Sequence, residues 1–68
     1  MTRTHIHQYQ PNIGLRVHWR GETTRGTITA VVVGRGGWPE YRVEWEAGAP
    51  EWWSQEVSCA TRSLVIDR

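Results

Sequence analysis

Apolar and polar residues take turns along most of this chain, and the alternation predicts strands. In Tyr41-Arg42-Val43-Glu44-Trp45-Glu46 an apolar residue follows a charged one without exception, as in a strand with one buried face and one wet face. Upstream, Leu15, Val17 and Trp19 share one face, with Arg16, His18 and Arg20 on the other. Residues 26–33 are dense in Thr, Ile and Val, whose branched side chains favour a strand over a helix. Strict alternation there puts Ile28, Ala30 and Val32 on one side, and Thr27, Thr29, Val31 and Val33 on the other. Residues 51–57 read as a returning strand, with Trp53, Gln55 and Val57 on one face and Trp52, Ser54 and Glu56 opposite. A polar break at Ser58-Cys59-Ala60-Thr61 has room for one 3₁₀ turn, after which Leu64-Val65-Ile66 forms a last short strand.

Turns separate these runs. Gly21-Glu22-Thr23-Thr24 is one, and Ala47-Gly48-Ala49-Pro50 is another that makes 40–57 a hairpin. Gly34-Arg35-Gly36-Gly37 ends the second strand, and Pro39, which has no N–H, is expected not to extend a central ladder. Residues 1–12 are polar, close on Pro11-Asn12 and read as a flexible tail ahead of one β domain at 13–68. A short edge strand through His5, His7 and Tyr9 is the alternative there. No segment sustains a helical period. Five short strands in 68 residues must close on themselves or leave long apolar edges, and a small barrel solves that problem.

Composition sharpens this picture at one point. A domain of this length buries only about 60% of its unfolded surface, so its core must be efficient. Five Trp and two Tyr, with no Phe, provide that efficiency, at roughly 150–250 Å² per large aromatic. By the alternation Trp19, Tyr41, Trp45 and Trp53 point inward, the three indoles as core aromatics. Trp52 points outward and Trp38 lies in a loop beside Pro39. Such a barrel cannot easily enclose five indoles, so Trp38, Tyr41 and Trp52 are the candidate partner-binding face, suited to a cation, a proline-rich peptide or a stacked base.

Charge and chemistry mostly exclude. The net charge is +1, without the basic excess of most nucleic-acid domains, and all eight basic residues are Arg. The single Cys59 rules out an internal disulfide and a thiolate metal cage, and it fits a reducing cytoplasm. No stretch approaches the length of a membrane span. His5-Ile6-His7 sets two imidazoles on one side of an extended segment but has no third ligand nearby, so no metal site is expected. Cys59 and His18 form a nucleophile–base pair only if the fold joins them, and a lone thiol reads as a small hydrophobe. Glu44 and Glu46 read as the solvated face of a strand. Gly34-Arg35-Gly36-Gly37 lacks the following helix that would hold a phosphate. No catalytic residue and no cofactor is expected.

Gly14-Leu15-Arg16-Val17, then Gly26-x-Ile28-x-x-Val31, then Pro39-Glu40-Tyr41-Arg42-Val43-Glu44-Trp45-Glu46-Ala47 resemble the SH3-like barrel of the type II, trimethoprim-insensitive dihydrofolate reductases. The resemblance spans about residues 14–66 and implies a five-stranded SH3-like barrel behind a disordered tail. In that family a tetramer's central pore, lined by a Val-Gln-Ile-Tyr segment, holds substrate and NADPH. The corresponding positions here carry Trp52, Trp53, Ser54 and Gln55, and the family's ligand-binding Lys falls near Trp19, so the reductase site does not carry over. The hairpin also resembles chromo- and Tudor-like modules, which implies a cage role for Tyr41, Trp45 and Trp52.

The expectation is therefore a cytoplasmic, non-catalytic binding module with an aromatic-rich face. Its partner is a protein segment or another copy of itself first, nucleic acid second, and no membrane. The rival is an oligomeric enzyme of the type II reductase kind. An accessory protein of a phage or mobile element, with an interaction role only, fits the same residues.

Overall fold

A computed structural model describes residues 6–67 of the chain. Five antiparallel strands form one sheet: β1 (Arg16–Trp19), β2 (Arg25–Val33), β3 (Pro39–Trp45), β4 (Glu56–Ser58) and β5 (Leu64–Asp67). Their order across the sheet is β4-β3-β2-β1-β5. The described chain is all-β apart from two 3₁₀ segments, Ile6–Asn12 and Arg35–Gly37.

The nine residues of β2 are the spine. Its first part pairs with β1 (Val17 opposite Gly26), and nearly its whole length pairs with β3. Ile28 faces Val43 but Ala30 faces Arg42, so β2 carries one extra residue at Thr29. Such a bulge bends the strand and increases its twist. It also shifts the phase of the side chains. Ile28 and Val31 are both buried, so the strict alternation that put them on opposite sides of the strand is corrected. Thr29 turns out to the surface, where its hydroxyl donates to the Arg42 carbonyl at 3.2 Å.

The core comprises Val17, Ile28, Val31, Tyr41, Val43 and Val57. In β3 the burial pattern follows the alternation through Tyr41, Arg42, Val43 and Glu44. Pro39 does enter the ladder, opposite Val33, but as the first residue of β3, where a strand tolerates a missing N–H. The returning strand is shorter than expected: residues 51–55 are turn and bend, and only Glu56–Ser58 pairs with β3. Trp53 N–H donates to the Pro50 carbonyl at 3.1 Å, closing a turn, and the Ser54 hydroxyl accepts from Glu56 N–H at 3.1 Å; contact with β3 resumes where the Gln55 carbonyl accepts from Val43 N–H at 2.8 Å. At the other edge Asp67 reaches the Arg25 guanidinium at 2.7 Å and the His18 ring at 3.0 Å, tying β5 to β1 and β2.

The expected tail divides. Residues 1–5, including His5, lie outside the described residues. Ile6–Asn12 is a 3₁₀ segment rather than an edge strand. Three residues per turn place Ile6, Tyr9 and Asn12 on one line. Ile6 and Tyr9 pack on the core, Tyr9 meets Tyr41 edge to face at 6.3 Å, and the Asn12 amide donates to the Tyr41 hydroxyl at 2.6 Å.

Candidate functional site

Gly26 positions the aromatic cluster. It lies on the inner side of β2, between Val17 of β1 and Trp45 of β3. A Cβ there would sit 2.5 Å from Val43 Cγ1 and 2.7 Å from Trp45 Cε3. The missing side chain leaves room for the Trp45 ring to lie over β2. From there it stacks on Trp19 at a centroid distance of 5.7 Å and 24°. Trp53, delivered by the turn after Pro50, meets Trp45 edge to face at 4.9 Å and Trp19 at 6.4 Å. The Trp45 indole N–H donates to the Ser54 carbonyl at 2.8 Å, which fixes the Trp53–Ser54 turn against the end of β3. Three rings thus support one another at centroid distances that favour aromatic pairs.

Trp52 is the outer member. Its ring contacts Trp53 edge to face at 6.4 Å, yet 83% of the residue is exposed, against 9% for Trp53. The inward and outward roles expected of this pair are therefore the ones observed, although a turn and not a strand separates them. Trp19 and Trp45 are partly buried and border the core.

The other expected members of the binding face lie elsewhere. Tyr41 is 3% exposed, held by Asn12 and Tyr9 inside the fold, and presents no surface to a partner. Trp38 is 63% exposed but precedes β3, whereas Trp45, Trp53 and Trp52 gather at the far end of that strand. Seven residues of strand separate the two ends by about 20 Å. So Trp38, Tyr41 and Trp52 do not form one face. The face that does form joins Trp52 to Trp19, Trp45 and Trp53. Sequence alternation marked these three as core, but it could not show that they cluster at a rim.

Two surface grooves meet at Trp53. One is lined by Trp19, Arg20, Glu22, Trp52, Trp53 and Ser63. The other, of about 750 Å³, includes Trp45, Trp53, Glu44, Glu51, Gln55 and Glu56 in its wall.

Among the described residues, burial moves the titration of Cys59 and Tyr41. Burial pushes the Tyr41 phenol above its ordinary 10.0, opposed by the hydrogen bond from Asn12. Burial likewise raises the Cys59 thiol above 9.0, opposed by a hydrogen bond with Tyr41. A raised acid pKa stabilises the fold below the ordinary value and loses that contribution as pH rises towards the folded one. Melting temperature is therefore expected to hold up to about pH 9 and fall beyond it, less steeply in Cys59→Ser. A flat profile from pH 8 to 11 would show that neither group is buried.

Cys59 and His18 do not come together as a pair: Cys59 follows β4 beside Tyr41, and His18 sits on β1 beside Asp67. Among the described residues no group of three or more His, Cys, Asp or Glu is placed to hold a metal. No described helix is long and apolar enough to cross a membrane. No family model, curated protein or solved structure matches the chain.

Proposed function

We propose that this chain is a small SH3-like barrel serving as a non-catalytic binding module, and that it grips a protein segment on the indole cluster ending in Trp52. The sheet order, with β5 beside β1 and a bulged β2 shared by β1 and β3, supports the barrel reading. The observation that carries the function is the seating of Trp52, exposed to 83% but braced edge-on by a buried Trp53. An indole left in water adds little to folding, while tryptophan is enriched among residues that dominate interfaces. A braced ring also loses less freedom on binding than a free one, so more of its contact energy appears as affinity. The net charge of +1 favours a protein segment over nucleic acid, whose binding rests on phosphate neutralisation.

The reductase reading gains no such support. The pore position equivalent to the family's Gln is Trp53, whose ring packs edge to face against Trp19 and Trp45. The test is selection from a random peptide library displayed on phage. Peptides enriched on the wild-type chain are expected to lose at least tenfold in affinity on Trp52→Ala, the effect of removing a hot-spot residue. Equal binding to both proteins would sink the proposal.

A further inference from the structure

The larger groove points to the chemistry of the partner. It runs from the outer face of β2 and β3 to the turns at 51–55, with Trp45 and Trp53 on one side. Thr29, Ser54 and Gln55 supply neutral polar groups. Its charged residues are Glu44, Glu51 and Glu56 against a single Arg42. Arg42 is already engaged, with its guanidinium 3.6 Å from the Glu56 carboxylate. Glu44 and Glu51 thus remain as the groove's uncompensated charge, on a chain whose overall charge is +1. The local potential is opposite in sign to that of the whole molecule, which is how a surface selects a partner of one charge. Indole walls add the preference of aromatic rings for cations.

We infer that this groove takes a cationic side chain, arginine or lysine, of the peptide segment that Trp52 engages. The inference rests on the proposed binding role, because Trp53 lines both this groove and the one containing Trp52. A segment crossing Trp53 would bring an apolar residue to Trp52 and a basic one between Glu44 and Glu51. Glu51, in the turn after Pro50, and Glu44, in β3, both line this groove.

Two-dimensional NMR of the full chain, titrated with blocked hexa-arginine and hexaglutamate peptides, tests this directly. Hexa-arginine should produce saturable shifts at Glu44, Glu51 and Gln55 amides and at the Trp45 and Trp53 indole N–H signals; hexaglutamate should produce none there. Glu44→Gln with Glu51→Gln should weaken hexa-arginine binding about tenfold, the scale of losing two surface charge contacts at once. Glu46→Gln changes charge outside the groove, at a carboxylate paired with Arg16, and should weaken it less than twofold. Equal losses for the groove and Glu46 variants, or shifts spread over the surface, would overturn the inference. Library peptides that need Trp52 but lack arginine and lysine would also overturn it, while leaving the binding role standing. Peptides indifferent to Trp52 would remove the binding role itself.

Discussion

Trp45→Ala should leave the protein largely unfolded at 37 °C. The ring stacks on Trp19, meets Trp53 edge to face and donates its N–H to the Ser54 carbonyl, so its loss removes support from β1 and the 51–55 turn together. Deleting a large aromatic costs about 3–5 kcal/mol, and the partial exposure of Trp45 places it near 3. In a chain this small each kcal/mol moves the melting temperature by about 4–8 °C, so a drop of roughly 12–24 °C follows. A two-state domain of this size has little reserve beyond that. Circular dichroism melts decide the matter: a variant melting within a few degrees of the parent would show that the indole cluster does not hold the sheet.

Gly26→Ala is the second large effect, from the addition of one methyl group. Replacing glycine by alanine in extended backbone ordinarily stabilises by about 0.4–1 kcal/mol through the unfolded chain. Here the new Cβ would meet Val43 and Trp45 side chains at 2.5 and 2.7 Å, and overpacking of this kind costs about 1–3 kcal/mol. The clash outweighs the entropy, so the variant should melt lower. Trp45 is one of the two groups obstructed, so the costs of Gly26→Ala and Trp45→Ala should sum to more than the double variant shows. Strict additivity would place the Trp45 ring away from β2.

The fold was legible where alternation is local and uninterrupted. Tyr41 to Trp45 announces β3, and the branched residues of 26–33 announce β2. The bulge at Thr29 was not legible, because a single extra residue leaves no mark in composition and only pairing with β3 reveals it. The segment 51–55 alternates well enough to be read as strand, yet it folds as a turn closed by Trp53 N–H on the Pro50 carbonyl. The 3₁₀ segment left one faint trace: Ile6, Tyr9 and Asn12 at intervals of three, a period too short to separate from chance.

The site was half legible for a related reason. Alternation tells inside from outside, and so it assigned Trp52 and Trp53 correctly to opposite environments. It says nothing about distance along the sheet. Trp38 and Trp52 share one face only if their two loops converge, and the length of β3 lies between them. The residue that makes the cluster possible, Gly26, has no side chain to draw attention, and its role appears only once Trp45 is seen lying over it.

The central claim is that Trp53 serves the fold and Trp52 serves the contact. One paired measurement tests it: melting temperature and affinity for a library-selected peptide, on Trp52→Ala and Trp53→Ala side by side. Trp52→Ala should melt within about 4 °C of the parent, as exposed positions usually change stability by less than about 0.5 kcal/mol, and lose at least tenfold in affinity. Trp53→Ala should lose about 3–5 kcal/mol of stability. A silent Trp53→Ala beside an unfolded Trp52→Ala, or a Trp52→Ala that binds like the parent, would contradict the account.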